Sequence, residues 1–167
     1  SQHMLKRGQF QISFGMIFSI IIIIAVVGVG AYVLKSFLAT GSCASLGLTF
    51  KELDDHIVTA WQAPIHEAIF TGEVSSGITL VCFGNLTQMP AQNSRTQYLE
   101  IQREFINSKE KNVFLYPVKE ACAATLAGVK INHFKTQNFF CVPVDKGSFS
   151  IKTEKQRFDS LVTILPS

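Results

Sequence analysis

Two of the four histidines stand beside carboxylates, in Asp54-Asp55-His56 and His66-Glu67, and a carboxylate near an imidazole is the raw material of general acid–base catalysis. Neighbours on a helix point about 100° apart, so neither pair converges on one substrate atom and both read as surface helix chemistry. A cysteine set against His133 would supply a thiolate nucleophile, but only as a free thiol. The four cysteines, Cys43, Cys82, Cys122 and Cys141, are even in number and lie in the distal part of the chain, which suits two disulfides in an oxidising compartment. Of the three pairings, closure of moderate loops favours Cys122 with Cys141 and Cys43 with Cys82, and spacing leaves the others open. Free buried cysteines are the alternative. A zinc site would need a C-x-x-C pair or a nearby His partner, and neither is present. No P-loop, G-x-G-x-x-G, H-E-x-x-H or G-x-S-x-G stands in the chain, so no catalytic residue, metal or cofactor is expected. One further chemical handle is Asn85-Leu86-Thr87, an N-x-T glycosylation acceptor in a turn-rich stretch between Gly84 and Pro90; unmodified, Asn85 is a turn residue.

The composition says where such groups would stand. Charged residues make up only 16% of the 167, against 47% hydrophobic, and the dilution is local. No charge occurs from Gln9 to Leu34, and Met16 to Leu34 reads MIFSIIIIIAVVGVGAYVL, the ~20 apolar residues that cross a bilayer as a helix. A buried core helix would keep a polar stripe, and a cleaved secretory signal would have a shorter apolar run ending in small residues rather than Tyr32 and Lys35. Of the fifteen basic residues, Lys6, Arg7 and Lys35 bracket the run, which leaves twelve beyond it against all twelve acidic ones. The distal part is therefore neutral, which argues against nucleic acid as a partner. Two basic residues before the span and one after it favour a cytoplasmic N-terminus and residues 39–167 outside the cell.

Ser1-Gln2-His3-Met4 reads as a cloning remnant or the natural start and is set aside with His3. Leu5-Lys6-Arg7-Gly8-Gln9, followed by Phe10-Gln11-Ile12-Ser13-Phe14-Gly15 and the apolar run, resembles the class III signal of archaeal pilins and archaellins. That resemblance implies cleavage by a prepilin peptidase between Gly8 and Gln9 and a helix that packs into a filament core. Where bacterial type IV pilins place a Glu five residues into the mature chain, this sequence has Ser13. The order of membrane helix, Cys43, a Trp-containing helix, Val81-Cys82-Phe83, Tyr116-Pro117 and a closing Phe158-Asp159-Ser160-Leu161-Val162-Thr163 resembles uncharacterised single-pass membrane proteins of small-genome archaea. It implies anchoring and fold, and no activity.

The elements expected to position these groups make an α+β chain. An N-terminal transmembrane helix is followed by a small disulfide-stabilised extracellular domain with a mixed or antiparallel sheet and two to three helices. The boundaries are 1–8 for a cytoplasmic leader or tag remnant, 9–38 for the membrane helix, 39–48 for a linker and 49–167 for the domain. Thr49-Phe50-Lys51-Glu52 is a capping box opening a helix through about Phe70, with Leu53, Ile57, Trp61, Ile65 and Ile69 on one face, a bend at Pro64 and an end at Gly72. Trp61 reads as a core anchor. Strands are expected at 78–83, 112–116, 129–134, 138–144, 148–153 and 161–165, with helices at 95–108 and 118–126, the second closed by Gly128. Asp145-Lys146-Gly147 should turn residues 139–144 and 148–153 into a hairpin, and the four phenylalanines from Phe134 to Phe149 read as the sheet's buried face, with an exposed patch for a partner as the alternative. Within the apolar run, Gly15-x-x-x-Ser19 could let two helices approach closely, and Gly28-Val29-Gly30 serves packing or lipid contact.

The functional expectation is a single-pass, membrane-anchored surface protein with a structural or interaction role. The bilayer is its partner, together with itself or other membrane or filament subunits. The competing reading is a pilin-like subunit processed after Gly8. An extracellular enzyme comes third, and it would need a concave pocket gathering His56, His66 or His133 with carboxylates.

Overall fold

The computed structural model describes residues 14–167, which divide between two compact units, Ser1–Leu38 and Ala39–Ser167. Helix α1 (Phe14–Gln62) runs for 49 residues and contributes to both. In the first unit its Ile, Val and Leu side chains are all exposed, so this stretch is apolar around its whole circumference, as lipid-facing helices are. It is long and apolar enough to cross a membrane. Ser19 Oγ donates to Gly15 O at 2.8 Å, which turns its hydroxyl onto its own helix.

In the second unit α1 is amphipathic. Leu46, Phe50, Leu53, Ile57 and Ala60 recur at spacings of three and four and are buried, whereas Lys51, Glu52 and Asp55 between them are exposed. The expected linker is therefore helical, since Leu46 already belongs to the core stripe and Cys43 is tied into the domain. Thr49-Phe50-Lys51-Glu52 lies inside α1 and starts nothing, and Thr49 is itself buried. The helix ends at Gln62, before Pro64, whose missing N–H and bulky ring oppose continuation. Beyond the proline the chain runs as strand β1 (His66–Glu73) rather than as helix, leaving Ile65 and Ile69 exposed and Gly72 within the strand.

Two four-stranded sheets form the rest. The first runs β1-β7-β8-β5, with β7 at Ser148–Lys155, β8 at Val162–Pro166 and β5 at Phe134–Lys135; β1, β7 and β8 pair antiparallel and β5 lies parallel to β8. The second runs β4-β3-β2-β6, all antiparallel, with β2 at Leu80–Phe83, β3 at Val113–Tyr116, β4 at Gly128–Val129 and β6 at Phe140–Pro143. Alternation assigns their faces. Phe70, Phe149, Ile151, Val162 and Ile164 of the first sheet, Val81, Phe83, Val113, Leu115, Phe140 and Val142 of the second, and the α1 stripe make one core. On the second sheet's other side Cys82 and Phe114 meet Tyr98, Ile101 and Phe105 of the α2 region (α2, Arg95–Glu104) in a smaller core that also takes Leu86 and Phe139.

The disulfides join Cys43 to Cys122 and Cys82 to Cys141, not the pairs favoured by loop length. Cys82 and Cys141 are direct register partners on β2 and β6, and the first bond ties α1 to the loop after β3. That loop forms only a 3-10 turn at Val118–Glu120 in place of the expected helix, because Ala121 is extended where the chain runs on to Cys122. The turn at Asp145–Ser148 is present, with positive φ at Lys146 and Gly147, yet it closes no hairpin: β6 pairs with β2 and β7 with β1, so the flanking strands enter different sheets. The run 129–134 is likewise divided, with His133 at φ 68° between β4 and β5. Of the phenylalanines in this region, Phe139, Phe140 and Phe149 are buried as expected and Phe134 is half-buried.

Candidate functional site

The fold brings two of the singled-out histidines together. His56 lies on the domain-facing part of α1, His66 opens β1, and both meet Thr153 on the inward face of β7, where Phe149, Ile151, Thr153 and Lys155 alternate. Nε2 of His56 is 2.9 Å and Nε2 of His66 is 3.2 Å from Thr153 Oγ1, which also donates to Ala68 O at 3.2 Å. With the single hydroxyl proton given to Ala68 O, which can only accept, both imidazoles donate from Nε2 into the hydroxyl lone pairs. The rings stand edge to face with centroids 5.4 Å apart, and Phe70 packs 5.2 Å from His56. Partial burial, and then the neighbouring His66, hold the His56 pKa below the ordinary histidine value, because both disfavour the imidazolium.

No carboxylate joins them. Asp55 accepts from Lys51 at 2.7 Å on the solvent side of α1, and Glu67 points to the outer face of the sheet, where Lys152 bridges it at 2.8 Å and Glu154 at 2.5 Å. Lys152 holds the Glu67 pKa below the usual range, first through the hydrogen bond and then through its charge.

Beside the histidines, Lys155 sits opposite His66 in the register and is only 9% exposed. Its ammonium donates to Trp61 O at 2.5 Å and Ala63 O at 2.8 Å, so the end of α1 is capped by a cation, the sign that suits a helix C-terminus. Trp61 is not the core anchor expected from the sequence. It is 37% exposed, donates from Nε1 to Ser160 O at 3.0 Å and stacks on His133 with centroids 3.9 Å apart. The positive φ of His133 lets its carbonyl accept from Val162 N while its ring lies on the indole.

This cluster joins α1 to the first sheet. The Nε2 atoms of His56 and His66, the Thr153 hydroxyl, the Lys155 ammonium and the Trp61 indole N–H all have partners inside the protein, and none of five open clefts on the domain is lined by a histidine. The described cysteines are all disulfide-bonded, which removes the Cys–His nucleophile. Among the described residues no group of three or more His, Cys, Asp or Glu is placed to hold a metal ion. Gly8 and Gln9, the processing pair, lie outside the described residues. Sequence reasoning passed over Thr153 and Lys155; the alternation of 148–155, which puts a lysine on the same face as Phe149 and Ile151, was the available signal.

No protein-family model matches the chain, and no curated protein or solved structure matches it either.

Proposed function

We propose that this chain is a single-pass membrane protein with a cytoplasmic N-terminus that displays residues 39–167 outside the cell in a structural or interaction role without catalysis. The observation that carries this reading is the pairing of two features in one chain: an apolar helical stretch exposed on every side at 14–38, and a domain cross-linked by two disulfides. Lys6 and Arg7 before the span against Lys35 after it support the orientation, and the balanced charge of the distal part supports protein or surface contacts over nucleic acid. The histidines are engaged in holding α1 to the sheet, which supports binding over acid–base chemistry. The test is protease treatment of intact cells with non-reducing peptide mapping of membrane-purified protein. Digestion of the domain from outside with both disulfides formed is expected; a protected domain with alkylatable cysteines refutes the reading.

A second reading, a pilin-like subunit cut between Gly8 and Gln9, is favoured by the basic-Gly-Gln start ahead of the apolar helix. Its mark is a mature chain beginning at Gln9, found by intact mass of protein from a host that carries the processing peptidase. An intact N-terminus there refutes it.

A further inference from the structure

We propose that Asn85 carries an N-linked oligosaccharide, transferred to its Nδ2 from a polyisoprenyl phosphate or diphosphate. Asn85-Leu86-Thr87 is the only N-x-S/T sequence in the chain, and three features of the fold present it as an acceptor. First, the middle residue is held in place. Leu86 is 2% exposed in the smaller core, and its carbonyl accepts from Tyr98 Oη at 2.5 Å and Gln102 Nε2 at 3.3 Å, so the exposed Asn85 and Thr87 stand on either side of a fixed point. Second, the amide is oriented. Thr87 N donates to Asn85 Oδ1 at 3.1 Å, while among the described residues Nδ2 meets no hydrogen-bond partner, which leaves the reacting nitrogen free and the carbonyl engaged. Third, there is room. Gly84 precedes the acceptor at φ 130°, and a Cβ there would lie 2.8 Å from the Phe139 backbone, so only glycine permits this exit from β2. Beside Asn85 opens a cleft of about 370 Å³ lined by Gln88, Glu110, Lys130, Lys135 and Thr136, polar groups suited to the hydroxyls of the first sugars.

In the transfer a bond forms between Nδ2 and C1 of the first sugar, and the bond from C1 to the phosphate oxygen breaks. The polyisoprenyl phosphate or diphosphate leaves with the electron pair, and one Nδ2 proton passes to the transferase's base; nothing is oxidised or reduced. The proposal rests on the outside placement of the domain, because such transfer takes place on that side of the membrane.

The test is intact-mass and glycopeptide analysis of the full chain made in a host with its own N-glycosylation, alongside a reporter of known sequon occupancy. Protease treatment of intact cells is run on the same preparation. Expected is a mass increment on the peptide containing Asn85 that disappears in Asn85→Gln and in Thr87→Ala and persists, at least in part, in Thr87→Ser. A domain accessible from outside with unmodified Asn85 beside a glycosylated reporter overturns the glycan and leaves the topology standing. A protected, unmodified domain overturns both. An increment that survives Asn85→Gln overturns the assignment to this residue.

Discussion

Replacing Lys155 with methionine isolates the cation that closes α1. The side chain is 9% exposed, keeps nearly the same length in the variant, and gives up two charge-assisted hydrogen bonds, to Trp61 O and Ala63 O. Such bonds are worth about 1.5–3 kcal/mol each, and a cation at a helix C-terminus adds about 0.3–1 kcal/mol. Against them stands the desolvation of a buried ammonium, several kcal/mol, which the variant no longer bears. The balance falls to the bonds, because the two carbonyls sit where α1 stops and cannot find later helical donors, although neighbouring exposed Gln62 and half-exposed Trp61 let water replace part of the loss. The expected cost is about 2 kcal/mol, or about 6–10 °C in the thermal midpoint of a domain this size. Urea and thermal unfolding of the oxidised full chain in detergent measures it, with Lys152→Met as the control. Lys152 lies on the same strand but on the outer face, where water screens its ion pairs with Glu67 and Glu154, so its loss should leave the unfolding midpoints nearly unchanged. Equal or greater stability of Lys155→Met, or an equal loss in Lys152→Met, would show that the buried ammonium is not a cap.

The same packing sets further outcomes. The folded pKa of His56 is depressed, so the unfolded chain takes up a proton first on acidification: stability is full above about pH 6.5 and falls as pH drops from there toward the folded value. Because the ring is only partly buried, the slope should stay well below the limiting ~1.4 kcal/mol per pH unit; urea midpoints between pH 7.5 and 5 check it, and an equal slope in His56→Asn would sink the assignment. Gly72→Ala would place a Cβ 2.7 Å from the ring of buried Phe149 and 2.9 Å from Thr49, so a loss of about 1–3 kcal/mol is expected in the same unfolding assay, and a neutral result would contradict the close approach of α1 to β1. Removing both Cys43 and Cys122 releases a constraint across 79 residues, up to about 4.5 kcal/mol on chain entropy, and non-reducing peptide maps should link 43 to 122 and 82 to 141; a 122–141 peptide would refute the pairing.

Elements whose signal is local were legible in the sequence. Tyr98, Ile101 and Phe105 mark the buried face of the α2 region, β3 and β8 fall within a residue or two of their apolar runs, and the charge-free run forms a helix long and apolar enough to cross a membrane. The misreadings came where a distant partner decides. Ile65 and Ile69 continue the spacing of Ile57 and Trp61, yet β7, some eighty residues away, draws this stretch into a strand and leaves both isoleucines outside. Thr49 and Glu52 satisfy a capping rule inside a helix that has no reason to begin there, since Leu46 and Phe50 share one stripe. The histidines could be noticed one at a time, but the hub joining them is Thr153, and no local pattern sets the register that brings His66 and Thr153 to one face.

The tight turn at 145–148 sends its two strands into different sheets, and this orders the folding of the whole domain. Neither sheet can be completed from one contiguous stretch of chain: β1 at 66–73 waits for 148–155, and β2 at 80–83 waits for 140–143. Contacts of such long separation place the domain among slow folders, whose rate is limited by bringing remote segments together. A chain emerging N-terminus first holds β1 and its exposed Ile69 unpaired until residues 148–155 have been made, the interval in which an open strand edge recruits other chains. Truncation shortly after the turn should therefore remove more than a C-terminal hairpin: it strands β1 without a partner and leaves the underside of α1 open to solvent.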